Sequence, residues 1–448
     1  MQYVSTRGLA PALGFADVLL EGLARDGGLY VPAELPSLPT PPPAGDYVGL
    51  AAAVMAPFAD VPDLAGQLAE AYAGFDHPDV VPLVELAPGT WVQELFHGPT
   101  LAFKDLALQL VGRLMDAELQ HRGDRRTIVV ATSGDTGSAA IEACVGRDTL
   151  DIVVLHPAGR TSDVQRRQMT TVAAPNVHNV AIEGTFDDCQ DLVKALFGDG
   201  ELRDELRLGA MNSINWGRVL AQIPYYVEAG RRVGPCDVVV PSGNFGNVLA
   251  GWYAKRMGAP IERLVIASNR NDILARWANT GALVAEEVVP TLSPSMDIQV
   301  SSNHERLLFE LLGRDAESTR DLLTRFRTLG SVEAPRSTDF LAASVDDATT
   351  LAEITATLEE RSYLADPHTA VGLRAARVLD LGRDRPVVCL ATAHPAKFPD
   401  AVEQATGIRP ALPERLADLF DRDEHYDVLP ADPAVVGAHV RAAVAAGH

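Results

Sequence analysis

The stretch Phe96-His97-Gly98-Pro99-Thr100-Leu101-Ala102-Phe103-Lys104-Asp105 sets one lysine between an aromatic ring and a carboxylate, just after a Gly-Pro turn. The residues that follow turn helical. Ala107, Leu110, Val111, Leu114 and Met115 keep the i, i+3, i+4, i+7 spacing of a buried face. Lys104 therefore belongs near the start of a helix, beside positive partial charge and unpaired backbone N–H groups. Both push its ammonium toward losing a proton, as a lysine that forms a Schiff base requires. The alternative is a lysine capping an ordinary loop, and the rest of the chain weighs on that choice.

Two glycine-rich turns offer anion sites. Ala131-Thr132-Ser133-Gly134-Asp135-Thr136-Gly137 follows a β-branched run and opens a helical pattern. Its glycines let the backbone approach a ligand, and its hydroxyls and N–H groups suit a carboxylate or a phosphate. Ser133 or Thr136 could equally cap a plain strand–helix turn. Pro241-Ser242-Gly243-Asn244-Phe245-Gly246-Asn247 follows the run Asp237 to Val240 in the same way. It is a second cradle at a strand's carboxyl end, where open α/β sheets bind ligands. It matches neither the P-loop nor the GxGxxG dinucleotide fingerprint, which argues against a dehydrogenase. Thr392, in Ala391-Thr392-Ala393-His394-Pro395-Ala396-Lys397-Phe398, puts a hydroxyl at another strand end, where it could meet a ring nitrogen. Met211-Asn212-Ser213-Ile214-Asn215-Trp216-Gly217-Arg218 offers two amides and an arginine to an oxyanion, or two amides as helix caps. One lysine and two separate cradles suit an enzyme that holds pyridoxal 5'-phosphate beside an anionic substrate.

These residues need strand ends and helix starts to position them. Short apolar runs at 127–132, 151–155, 177–182, 237–240, 263–267 and 386–391 alternate with helical patterns at 105–121, 137–146, 162–173, 187–197, 216–231 and 247–257. That alternation predicts parallel sheets covered on both faces. Six such strands exceed one compact unit, so two α/β domains with a cofactor cleft between them are expected. The division expected is an N-terminal helical layer over 1–88, a smaller α/β domain over 89–210 with Lys104 and the SGDTG turn, and a larger cofactor-binding domain over 211–448. The Pro-rich stretch from Pro32 to Pro43 reads as a surface connector. The region 303–380 reads as mostly helical, and the tail after Pro410 as two further helices.

The length of 448 residues allows two or three domains, and a net charge of −22 argues against nucleic acid or an anionic membrane as partner. Anionic ligands would then need a local positive island. Four cysteines lie far apart without a CxxC pair, so neither disulfides nor a metal site is expected, and a reducing compartment fits. No apolar run reaches membrane-spanning length and no secretory signal opens the chain, which makes the cytoplasm the expected location.

Across nearly its whole length the chain resembles the threonine synthases, of the fold-type II superfamily of pyridoxal-phosphate enzymes. The segments that carry the resemblance are YVSTRG with DGGLYVP, FHGPTLAFKD, ATSGDTGSAA, MNSINWGRVLAQIPYY, PSGNFGN, SPSMDIQVSSNHERLLFEL, ADPHTAVG and ATAHPAKFPDAV, in that order. The resemblance implies that Lys104 carries the cofactor as a Schiff base and is the catalytic residue. Gly243, Asn244, Phe245, Gly246 and Asn247 would cradle the cofactor phosphate, and Thr392 would bond the ring nitrogen. Ser133 and Thr136 would receive the substrate carboxylate. Asn212, Asn215 and Arg218 would take the leaving phosphate, with Lys397 and Arg160 as further candidates. Asp135, where many relatives in the superfamily carry Asn, stays outside the binding set, because a carboxylate facing an anion is unfavourable unless turned away or hydrogen-bonded. The implied reaction converts O-phospho-L-homoserine and water to L-threonine and phosphate, in a monomer or homodimer. A related dehydratase or phospho-lyase, or a non-catalytic relative, are the competing readings.

Overall fold

A computed structural model describes residues 1–39, 45–132 and 134–446. Ser133 and the Pro-rich residues 40–43 lie outside the described residues. Among those described, two largely parallel sheets carry the architecture. The larger has the order Phe340–Ser344, Ile261–Ser268, Cys236–Pro241, Val387–Ala391, Thr90–Glu94 and Leu83–Ala87. Its first five strands run parallel, and Leu83–Ala87 pairs antiparallel with Thr90–Glu94 at one edge. The smaller has the order Asp427–Pro430, Val177–Glu183, Leu150–Pro157, Arg126–Ala131 and Leu208–Gly209, all parallel.

The apolar runs are continuous because both faces of each sheet are covered. Every residue of Leu150–Pro157 is buried. Ile152 and Val154 join the main core, whereas Val153 and Leu155 pack with Leu192, Leu196, Val436 and Val440 on the other face. In the larger sheet Val238 and Val240 face the main core, and Val239 faces Ala370 and Val371 of the helix Pro367–Val378. Each such aliphatic side chain contributes roughly 1.5–3 kcal/mol when fully buried.

The sheets do not follow the linear division at residues 89 and 211. Thr90–Glu94 belongs to the larger sheet, although it precedes Lys104 closely in the chain. Asp427–Pro430 and the helix Pro433–Ala446 return to the smaller sheet, where the tail had been expected to hold two helices. Both strands are short, and Asp427–Pro430 is a mostly exposed edge strand without an apolar run to announce it. Phe340–Ser344 likewise adds a sheet strand within the region expected to be helical. The expected helix 216–231 is two, Trp216–Leu220 and Ile223–Val233, and Pro224 in the first turn of the second is where a proline fits.

The N-terminal layer holds the helices Phe15–Glu21, Tyr47–Met55 and Leu64–Tyr72 and adds a small antiparallel sheet of Leu13–Gly14, Gln2–Ser5 and Tyr30–Pro32. Polar contacts fasten it to the rest. Arg7 donates to both carboxylate oxygens of Glu305 at 3.1 and 2.9 Å, and the Trp216 indole donates to the Tyr3 hydroxyl at 3.1 Å.

Candidate active site

Three neighbouring strands of the larger sheet release site segments from the same carboxyl edge. Cys236–Pro241 leads into the Gly/Asn turn, Val387–Ala391 into Thr392, and Thr90–Glu94 into the Gly-Pro turn and Lys104. The last two are zipped together. Phe103 N–H donates to the Thr392 carbonyl at 2.9 Å, and His394 N–H donates to the Leu101 carbonyl at 3.0 Å. This brings Lys104 beside Thr392. The Gly-Pro turn is locked by Asp105, whose carboxylate accepts from Thr100 N–H at 2.8 Å and Thr100 Oγ1 at 2.7 Å. The carboxylate beside the lysine in sequence therefore holds the turn.

Lys104 is the first residue of the helix Lys104–Arg122, and its side chain is buried. Its Nζ lies 3.0 Å from Asp135 Oδ2 and 3.4 Å from Ser295 Oγ. Burial lowers the Lys104 pKa, Lys397 and Arg218 push in the same direction, and Asp135 only partly opposes them. Asp135, first residue of the helix Asp135–Cys144 of the smaller sheet, is equally buried. Burial alone would raise its carboxyl, but the charges of Lys104 and Lys397 hold it well below the usual carboxylate range. Gln165 Nε2 at 2.8 Å and Ser295 Oγ at 3.2 Å also donate to it. The carboxylate that sequence reasoning kept out of the binding set thus lines the cleft, fully hydrogen-bonded, against the lysine.

The cleft spans about 700 Å³ with its open mouth included. Lys104, Asp135, Thr136, Arg218, Thr392 and the turn from Ser242 to Asn247 line it. The turn fits a phosphate. It caps the helix Gly246–Met257, Phe245 adopts a left-handed φ of 63°, and the first-turn N–H groups have no intrahelical partner. A Cβ on Gly243 would approach the Ser295 carbonyl oxygen to 2.6 Å, so only glycine lets the Ser295 loop close on the turn. Among the described residues two buried polar atoms there, Ser242 Oγ and Asn247 Nδ2, have no partner. The Asn247 amide is held by Tyr225 and Tyr226, whose hydroxyls donate to its Oδ1 at 2.5 and 2.7 Å. These orphaned donors suit a bound anion.

Arg218 is a second anion feature. Among the described residues it pairs with no carboxylate. Among them its Nη1 reaches only the Met211 carbonyl, at 3.4 Å, and its Nε finds no partner. Burial pushes its pKa down to about 10, which leaves it charged at neutral pH. Lys104, Lys397 and Arg218 against Asp135 make a positive island in a chain of net charge −22.

Other candidates fall elsewhere. Asn215 caps the helix Trp216–Leu220. Its Oδ1 accepts from Gly217 N–H at 2.9 Å and its Nδ2 donates to the Leu19 carbonyl at 2.8 Å, so both ends are occupied away from the cleft. Asn212 is exposed, its Oδ1 accepts from Ile214 N–H, and Ser213 lines the cleft in its place. Arg160 is exposed and outside the lining, and Lys397 is wholly buried behind Asp135. Sequence reasoning did not single out Ser242, Ser295, Gln222 or His368, all of which line the cleft. Ser295 and His368 sit in SPSMD and ADPHTAVG, hundreds of residues from Lys104 in no fixed spacing. A local signal existed only for His368, in a helix-start pattern: Asp366 accepts from the His368 backbone N–H at 2.9 Å and bonds its Nδ1 at 2.8 Å.

Comparison with known proteins adds to this geometry. The family described as "Threonine synthase N terminus" matches residues 2–72, "Pyridoxal-phosphate dependent enzyme" matches 77–393, and "Threonine synthase, C-terminal" matches 369–440. The chain is 51% identical to a threonine synthase of Pseudomonas aeruginosa over 98% of each protein. Among solved structures, that of pyridoxal-phosphate-bound threonine synthase from Brucella melitensis superposes with a TM-score of 0.94 at 49% identity over 99% of each chain. Threonine synthase from yeast gives 0.92 at 38% identity, again over 99% of each.

Proposed function

The chain belongs to the threonine synthase family of pyridoxal-phosphate-dependent enzymes, and from that premise we propose how its own residues divide the work. The reaction is the conversion of O-phospho-L-homoserine and water to L-threonine and phosphate. The bound cofactor supplies an electron sink for the carbanions formed at the substrate carbons.

Lys104 would hold the cofactor, and as a free amine it is buried and placed to move protons at the reacting carbons. Burial lowers its pKa, which eases the loss of its proton. Gly243, Asn244, Phe245, Gly246 and Asn247 hold the cofactor phosphate through backbone N–H groups and the free Asn247 Nδ2, with Ser242 Oγ beside them. Thr392, which lines the cleft, would bond the ring nitrogen. Thr136, at a helix start, receives the substrate carboxylate. Arg218 takes the phosphate that leaves, and this reading rests on its being a buried cation without a carboxylate. Asn212 and Asn215 drop out of that role, the first for its exposure and the second for its cap. The partner is the small substrate. Among the described residues no helix is long and apolar enough to cross a membrane, and the four cysteines are buried thiols, in keeping with the cytoplasm as the site of action.

The single observation that carries the reading is Lys104 Nζ, 3.0 Å from Asp135, in the cleft that the Ser242–Asn247 turn and Arg218 also line. Incubation of the holoenzyme with O-phosphohomoserine is expected to release threonine and phosphate in equal amounts. Formation of 2-oxobutanoate without threonine would instead assign a dehydratase or phospho-lyase.

A further inference from the structure

Lys397 has no place in the division of roles above, yet its ammonium is tied into the wall of the cleft. It ends the turn Pro395–Lys397 that follows Thr392, at the carboxyl edge of the larger sheet, and it is completely buried. Its Nζ donates to the Thr100 carbonyl at 2.6 Å and to Gln168 Oε1 at 2.8 Å, and it lies 3.2 Å from Asp135 Oδ1. Two hydrogen-bond acceptors and a carboxylate thus surround one nitrogen. Gln168 and Asp135 stand on helices of the smaller sheet, so Lys397 also stitches the two sheets at the cleft. Asp135 is shared between two lysines, with Oδ2 toward Lys104 and Oδ1 toward Lys397. The chain has only four lysines, Lys104, Lys194, Lys255 and Lys397, against many arginines, and half of them meet at this one carboxylate.

We propose that Lys397 is a positioning residue for the reaction: a fixed counter-cation that keeps Asp135 ionised and aimed at the Lys104 nitrogen while that nitrogen gives up and regains its proton. Facing Lys104 alone, the buried carboxylate would keep only the neutral donors Gln165 and Ser295 whenever Lys104 became neutral, a costly state that would hold the proton on Lys104. With Lys397 behind it, Asp135 keeps a charge partner through the whole cycle. Arg218 and His368 also face this group, as do the neutral Gln165 and Ser295. On the far side, Lys397 faces Asp105, whose carboxyl burial pushes up to about 6. The inference rests on Lys104 being the lysine that holds the cofactor.

The test is the pH titration of the bound cofactor's visible absorbance, which reports the proton on the Lys104 nitrogen. Lys397→Met removes a nearby positive charge and should raise the midpoint by about one pH unit, the scale on which neighbouring charges shift a buried group. Asp135→Asn should lower it, and the double variant should fall between the two. If Lys397→Met fails to hold its near-ultraviolet circular dichroism, Lys397→Gln keeps donors toward Thr100 and Gln168 and should give the same upward shift. A folded Lys397 variant with an unmoved midpoint would overturn the proposal. Borohydride reduction of the wild-type holoenzyme separates the two levels. If Lys104 is labelled and the midpoint is unmoved, only the role of Lys397 fails. If Lys104 is not labelled, the reading of the site fails and the role of Lys397 fails with it.

Discussion

At the scale of single residues, the site turns on charges that are buried for a purpose. Arg218 is a buried guanidinium without a carboxylate among the described residues, a costly arrangement unless an anion arrives to pair with it. Arg218→Met should therefore lower kcat/KM for the phosphorylated substrate by roughly 10–100-fold, the equivalent of a charged hydrogen bond, while the cofactor absorbance stays intact. Steady-state kinetics with parallel spectra would show it, and an unchanged kcat/KM would remove Arg218 from the substrate site. His97, seven residues before Lys104, gives a second test. Burial pulls its imidazole pKa down, but Glu94 at 2.9 Å and Asp76 at 2.7 Å more than reverse this, and the net pKa is raised. A raised pKa in the folded state contributes stability that is full below the ordinary imidazole value, about 6.5, and is lost as pH rises through the folded value. Thermal melts from pH 6 upward should show the wild type losing its advantage over His97→Gln with increasing pH. A constant difference across that range would contradict the assignment. At this scale sequence legibility was uneven. Lys104, Thr392 and the Gly243–Asn247 turn sit in local patterns with a chemical meaning, whereas Ser295 becomes a site residue only because its loop folds over Gly243.

At the scale of elements, two helices carry the reacting pair. Lys104 opens Lys104–Arg122 and Asp135 opens Asp135–Cys144, so their separation depends on how closely the helices pack. Gly112 sets that approach, because a Cβ there would collide with the Ala143 carbonyl oxygen. Gly112→Ala should push the helices apart at a cost of roughly 1–3 kcal/mol, the usual penalty of overpacking, and should weaken cofactor retention along with stability. Denaturant titration and absorbance of the purified variant measure both. Wild-type retention in a destabilised variant would show that the two helices are not coupled in this way. The helix starts were legible because both follow strand ends with turn residues and apolar 3.6-residue spacing. Their close packing was not, since a glycine in a helical run signals a close contact without naming its partner.

At the scale of the whole molecule, the alternation of apolar runs and helices was enough to expect parallel sheets with ligands at their carboxyl edges. Which strand joins which sheet was not readable from order along the chain. Thr90–Glu94 crosses to the larger sheet and Asp427–Pro430 returns to the smaller, and both are short strands whose pairing is settled by contacts distant in sequence. That crossing has a functional consequence. The lysine leaves the larger sheet beside Thr392 and the phosphate turn, while its carboxylate partner comes from the smaller one, so the site is complete only where the two sheets meet. The central claim is that this meeting point makes Lys104 the cofactor lysine. The chain offers just four lysines to choose among, which makes the test decisive: reduce the holoenzyme with borohydride, digest it and map the modified peptide. The account predicts one pyridoxyl group, on Lys104. A group on Lys194, Lys255 or Lys397, or no modified lysine at all, would contradict it.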